Sequence, residues 1–178
     1  MKFFATCPKG LEPVLFDELQ SLAVEQPKQT LAGVYFAGGL EAAYKVCLWS
    51  RVANRVLMVL HQTAGETAEQ LYQGVREVSW LEHLRSTGTL TVDFSGESEG
   101  INHSRFGAQK VKDAIVDQIR EATGSRPSVD RVRPDLRVNV HLSRGLATVS
   151  IDLSGDSLHR RGYRLKAGKA PMKENLAA

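Results

Sequence analysis

Gly33-Val34-Tyr35-Phe36-Ala37-Gly38-Gly39-Leu40-Glu41-Ala42-Ala43-Tyr44-Lys45-Val46-Cys47-Leu48 changes its hydrophobic period partway along, and that change orders the first third of the chain. Before the glycine pair the run is short, apolar and β-prone, as a strand is. After it Leu40, Ala43, Tyr44, Cys47 and Leu48 recur at spacings of three and four, as one face of a helix does. Gly38-Gly39 supplies a tight turn between the two. Upstream, Phe3-Phe4-Ala5-Thr6-Cys7 reads as a second short strand, ended by Pro8 and Gly10. Leu11, Val14, Leu15, Leu19 and Leu22, interleaved with Glu12, Asp17, Glu18 and Gln20, predict an amphipathic helix. A weak strand is expected near Lys28–Leu31, and Arg55–Leu60 reads as a mostly buried strand.

Residues 3–60 therefore run β-α-β-β-α-β, the order of two split βαβ units on one antiparallel sheet, the ferredoxin-like arrangement. A second unit begins after His61-Gln62-Thr63-Ala64-Gly65. Thr67 is placed to cap a helix that buries Leu71, Gly74, Val75 and Val78, with Trp80-Leu81 closing it. Thr89–Phe94 alternates as a half-buried strand, and a polar loop from Ser95 to Asn102 leads to a long helix at about Ser104–Ala122. Its inner stripe is Val111, Ala114, Ile115, Gln118, Ile119 and Ala122. Leu136–Leu142, Ser143-Arg144-Gly145 and Leu146–Leu153 form the clearest hairpin in the sequence. The expected fold class is α+β: a ferredoxin-like subdomain over 1–64, an α/β domain over 65–155 and a basic linker over 156–178.

Charge is split along the chain. Residues 1–100 hold 8 Lys/Arg against 12 Asp/Glu, net −4, and residues 101–178 hold 15 against 8, net +7, so the overall +3 conceals a basic C-terminal part. The cations gather in Arg126–Arg137 and in His159-Arg160-Arg161-Gly162-Tyr163-Arg164-Leu165-Lys166. Such clusters present guanidinium groups to a polyanion, and nucleic acid is the first candidate. Arg160, Arg161, Arg164 and Lys166 are the leading RNA-contact candidates, with Tyr163 among them as a stacking surface and His159 adding a charge when protonated. Arg131, Arg133 and Arg126 follow. Arg105, Lys110 and Lys112 come third, with Arg105 at a helix start where the dipole helps hold a phosphate.

Other chemistries find little support. Cys7 and Cys47 lie in apolar segments outside any CxxC pattern and read as buried thiols of a reducing compartment. The apolar run at the N-terminus is too short for a signal-peptide core, and no stretch approaches the roughly 20 apolar residues of a membrane span. A cytoplasmic chain with no membrane partner is expected. His61, His83, His103, His141 and His159 have no metal-ligand spacing, so no metal is expected. Ala167-Gly168-Lys169-Ala170 lacks the upstream glycine and following Ser/Thr of a phosphate loop, and no G-x-G-x-x-G follows a strand. Asp130/Asp135 and Asp152/Asp156 lie beside arginines and read as local ion pairs or caps, and Ser104, Ser154 and Ser157 lack a nucleophile-elbow context. No catalytic residue is assigned.

Four strings carry a resemblance. Thr6-Cys7-Pro8-Lys9-Gly10-Leu11-Glu12, Leu48-Trp49-Ser50-Arg51-Val52-Ala53-Asn54-Arg55, Phe106–Asp117 and Asp152–Arg164 resemble the N-terminal half of the bacterial large-subunit rRNA guanine-N2 methyltransferases that carry a THUMP domain. The likeness covers essentially the whole chain, and Ala170–Ala178 resembles the lead into that family's methyltransferase domain. The resemblance implies a ferredoxin-like subdomain followed by a THUMP domain, whose profile boundary could reach back to about residue 43. It further implies capture of 23S rRNA, in the large-subunit precursor, for a downstream domain of the same polypeptide. In the family that domain uses S-adenosylmethionine to methylate a guanine amine. Its glycine-rich cofactor motif and its Asn/Asp-Pro-Pro-aromatic motif are absent from this sequence, so this chain alone is expected to bind RNA and to hold no cofactor. Two alternatives are a THUMP module serving tRNA and an acylphosphatase-like hydrolase. The hydrolase needs an arginine in the loop after the first strand, where this chain offers Lys9.

Overall fold

The computed structural model describes residues 1–162 and 173–177. These divide into two compact units: Met1–Met58 together with the described residues from Asp152 onward, and Val59–Ile151.

The first unit contains β1 (Lys2–Thr6), α1 (Glu12–Ser21), β2 (Glu25–Thr30), β3 (Gly33–Ala37), α2 (Leu40–Trp49) and the start of β4 (Arg55–Ala64). The strand order is β2-β3-β1-β4, as the ferredoxin-like reading requires. β1 and β3 are antiparallel with Phe3 opposite Phe36 and Ala5 opposite Val34. Strand alternation sends these four to one face, where the Phe3 and Phe36 rings stack at 5.2 Å over a core completed by Leu15, Leu19, Ala43, Val46 and Val56. On the other face Phe4 meets Tyr35 at 4.6 Å, under the Lys2 ammonium.

Two expected stripes are rotated. Val14 on α1 is exposed, and on α2 the buried positions are Ala43 and Val46 while Leu40, Tyr44 and Leu48 face outward. α2 is apolar on two sides, and the periodicity of one helix cannot say which side the sheet takes.

The chain returns to this unit after Asp152 rather than running on as a linker. Leu153 N–H donates to the Val56 carbonyl (2.9 Å), Leu158 N–H to that of Asn54 (2.8 Å), and Asn175 Nδ2 to that of Val52 (3.0 Å). The last described residues form a one-turn helix, α5 (Glu174–Ala177).

The second unit contains the rest of β4, α3 (Ala68–Val75), a 3-10 turn at Trp80–Glu82, β5 (Thr89–Gly96), α4 (Ser104–Thr123), β6 (Ser128–Val129), β7 (Leu136–Ser143) and β8 (Leu146–Asp152). Its sheet order is β4-β8-β7-β5-β6. β5 runs parallel to both β6 and β7, and β7 and β8 form the expected hairpin. Arg144 (φ 51°) and Gly145 (φ 73°) make its two-residue loop, both left-handed as a type I′ turn demands.

Local signals hold here. Thr67 Oγ1 accepts from Gln70 N–H and Gln70 Oε1 from Thr67 N–H, each at 3.2 Å, a reciprocal cap for α3. α4 buries Gly107, Val111, Ala114, Ile115, Val116 and Ile119, and ends at a left-handed Gly124. Gln118 from the expected stripe bridges instead, donating to the Arg76 carbonyl (2.6 Å) and accepting from Trp80 N–H (3.0 Å), and Ala122 is exposed. Ile101, expected in a polar loop, is fully buried.

Gly107 sets how closely α4 lies on the sheet. A Cβ there would fall 2.6–2.8 Å from the Phe94 ring. Gly107→Ala is expected to lower stability by about 1–2 kcal/mol, the usual cost of an overpacked methyl less the helix-propensity gain, read as a lower urea midpoint at unchanged m-value.

Candidate nucleic-acid interface

The third-ranked cations of the sequence come together most clearly. Arg105, Ala108, Gln109 and Lys112 stand at i, i+3, i+4 and i+7 on α4 and so share one helical face. With Leu90, Thr91 and Val92 of β5, Val129 of β6 and Arg131 just beyond it, they line a groove of about 430 Å³. Its lining holds three cations and no carboxylate, over an apolar floor.

The groove lies along the N-terminal half of α4. That terminus has His103 at the cap position without a side-chain hydrogen bond to the helix, and no acidic residue in its first turn. The helix dipole places partial positive charge there, and Arg105 adds a full charge where an isolated helix would favour an anion. Like-signed groups gathered this way are stabilised when an anion enters.

The loop after β6 is shaped by Asp130, whose Oδ1 accepts the N–H groups of Val132 (2.8 Å) and Arg133 (3.1 Å). Those two donors, Arg133's first, hold the Asp130 carboxyl below its usual range. The carboxylate is thereby turned onto its own backbone, and Arg131 and Arg133 stay exposed with no carboxylate partner among the described residues. Arg126 is exposed in the loop between α4 and β6. Lys110 sits 5.8 Å from the centroid of the half-exposed Phe106 ring, and Lys112 pairs with its neighbour Asp113 at 2.6 Å.

Of the first-ranked candidates, Arg160 and Arg161 belong to the other unit. Arg160 is exposed. Arg161 is committed within the protein: its guanidinium donates to the carbonyls of Cys47 (2.7 Å), Ser50 (2.8 Å) and Leu48 (3.1 Å) at the C-terminal end of α2, and its N–H donates to Glu174 Oε2 (3.1 Å). A cation is well placed at that negative end. The partners of its guanidinium lie more than 100 residues upstream, so no local signal could reveal the role. Arg161→Ala is expected to cost about 1–2 kcal/mol of stability, seen as a lower melting temperature, with RNA affinity unchanged. Burial lowers the His159 pKa, with Lys173 and Arg160 adding to the effect, so His159 is a neutral hydrogen-bond partner of Ser157 Oγ (2.7 Å) rather than an extra cation. Tyr163, Arg164 and Lys166 lie outside the described residues.

Asp152 and Asp135 are structural. Asp152 pairs with Arg55 and accepts Ser154 N–H (2.9 Å), and Asp135 Oδ2 accepts the N–H (2.8 Å) and hydroxyl (3.0 Å) of Thr89. In the loop after β1, Glu12 fills the place a phosphate would need, accepting Gly10 N–H (2.7 Å) and Ala32 N–H (3.0 Å), which removes the acylphosphatase-like reading. The β5–α4 loop, where a strand–helix cofactor cradle would sit, carries Glu97 and Glu99 and turns back through Gly100 N–H to the Glu66 carbonyl (3.1 Å). No described helix is long and apolar enough to cross a membrane.

With this geometry in hand, comparison with known proteins places both units. The RlmL ferredoxin-like domain matches residues 2–57 and the THUMP domain matches residues 65–152. The chain belongs to the proteins that join these two domains. It is 56% identical over 177 residues to "Ribosomal RNA large subunit methyltransferase K/L" of Pseudomonas aeruginosa, covering 99% of this chain and 24% of that protein. It is 60% identical over 176 residues to the protein of the same name from Methylococcus capsulatus, again covering 99% and 24%. The chain thus spans about a quarter of the length of the curated relatives it matches. Among solved structures, "Crystal structure of SMU.472, a putative methyltransferase complexed with SAH" superposes with a TM-score of 0.84 at 28% identity over 99% of this chain and 46% of that one.

Proposed function

We propose that this chain is the RNA-capturing part of a longer, S-adenosylmethionine-dependent rRNA guanine-N2 methyltransferase acting in the cytoplasm on the large-subunit precursor. The observation that carries the reading is the groove of the THUMP unit, whose lining holds Arg105, Lys112 and Arg131 and no carboxylate along the N-terminal half of α4. Phosphates of a folded 23S rRNA segment bind there. Arg133, Arg126 and Lys110 extend the contact, and the half-exposed Phe106 offers a face for an unpaired base. Arg160, Arg164 and Lys166, with Tyr163 stacking, form a second, lower-ranked contact. Arg161 leaves the set because its donors are already used.

The chemistry sets the mode of recognition. A-form RNA has a major groove too narrow for side chains, so cations on a rigid helix read backbone shape and leave base identity to unpaired nucleotides. Methyl transfer is the work of the part of the polypeptide beyond this chain, in keeping with relatives that are named methyltransferases and are about four times as long.

The test is a competition in which a labelled 23S rRNA stem-loop is displaced by unlabelled rRNA fragments or by tRNA. The rRNA fragments should compete about tenfold better, a difference of roughly 1.4 kcal/mol. Better competition by tRNA would move the client to tRNA modification.

A further inference from the structure

α2 carries an apolar face that no described residue of its own unit covers. Leu40, Tyr44 and Leu48 form one i, i+4, i+8 row, 38%, 51% and 70% exposed, and Trp49 beside Leu48 is 68% exposed. Together they show on the order of 400–500 Å² of side chain, in the range where an exposed patch marks an interaction surface. Glu41, Lys45 and Arg51 rim it, and the Lys45 ammonium is directed to the Leu22 carbonyl (2.8 Å). A face so apolar offers nothing to a phosphate backbone.

We propose that this face is the docking surface for an apolar patch on the methyltransferase domain that follows in the full-length polypeptide. The inference rests on the reading that such a domain follows this chain. Three observations select this occupant.

The first is where the chain is heading. Arg161 fastens the returning segment to the carbonyls of Cys47, Leu48 and Ser50, and Asn175 holds α5 against Val52 and Asn54. The last described residues therefore lie at the end of α2 that bears Leu48 and Trp49, and a continuing polypeptide sets out from beside the patch. The second is size. The patch is about half of the roughly 800 Å² per partner that a free, stable association buries, too little for a second copy, whereas a covalent tether supplies an effective concentration in the millimolar range. The third is length: relatives extend to about four times this chain, so ample surface exists to cover it.

Leu48→Cys provides the test, made both in this 178-residue chain and in the full-length protein. Burial pushes the thiols of Cys7 and Cys47 up to about 11, so native background reaction with a maleimide is slow. Leu31→Cys, at a position 78% exposed in the same unit, serves as the reference. The labelling rate of Leu48→Cys, divided by that of Leu31→Cys, is expected to fall at least about tenfold in the full-length protein, and to recover when Trp49→Glu is added. Equal ratios in the two proteins would overturn the proposal, as would protection that appears in the short chain with rising concentration, which means self-association, or only on adding RNA. RNA affinity measured on the same samples keeps the two readings apart: protection without 23S rRNA binding retains the docking surface and loses the proposed function.

Discussion

Replacing Arg105, Lys112 and Arg131 together by Ala is expected to lower the affinity of this chain for a 23S rRNA stem-loop by about a hundredfold. Charge-assisted hydrogen bonds are worth about 1.5–3 kcal/mol when well formed, and solvent screening in an open groove brings each nearer 1 kcal/mol. Three lost contacts then give about 3 kcal/mol, or two decades. The salt dependence carries the sharper signature. Each phosphate neutralised contributes roughly −0.7 to −0.9 to the slope of log K against log salt, so the variant should be shallower by about 2–3. Fluorescence anisotropy at several salt concentrations reads both quantities. All three side chains are at least partly exposed, so the variant should melt within a few degrees of the parent, and a loss of binding reports on the groove rather than on folding. A fall in affinity with no change of slope would mean that the cations act indirectly.

Arg55→Ala is expected to have the largest effect on stability, about 3 kcal/mol. The Asp152 carboxylate is 1% exposed and bonded to the Arg55 guanidinium, and removing the cation leaves a buried charge with Ser154 N–H as its remaining strong donor. For a chain of this size the loss corresponds to a fall of roughly 6–12 °C in melting temperature. Asp152→Asn in the Arg55→Ala background should recover part of it, because the neutral amide tolerates burial better than the carboxylate does. Neither variant should change the RNA affinity of the folded protein, since Arg55 and Asp152 take no part in the groove. An unchanged melting temperature in Arg55→Ala would show that the pair is dispensable.

The fold was largely legible because its signals are local. The glycine pair before α2, the Thr67 cap, the Arg144-Gly145 turn and the alternation of β5, β7 and β8 each depend on a few neighbouring residues and local geometry. Burial within an element was less legible. α2 has apolar residues on two sides, and only the sheet decides that Ala43 and Val46 go inward. The return of the chain to the first unit was hidden for a similar reason, since the side chains of Arg161 and Asn175 find their partners more than 100 residues away.

The candidate site divides along the same line. Density of charge drew attention to Arg160 and Arg161, but density does not say whether a guanidinium is free, and Arg161 is committed to the end of α2. Arg105 was recognisable as a cation at a helix start and Lys112 as one lying off the apolar stripe. Their spacing with Ala108 and Gln109 already described one face, but the opposite wall, β6 and Arg131, reaches it only through parallel pairing with β5.

The most direct measurement is a titration of isotope-labelled chain with a 23S rRNA stem-loop, following backbone amide resonances. The largest shifts are expected at Ser104–Lys112 and Val129–Arg133, with α2 unaffected. Shifts confined to the region around Arg160, with the α4 groove silent, would contradict this and move the RNA contact to the other unit.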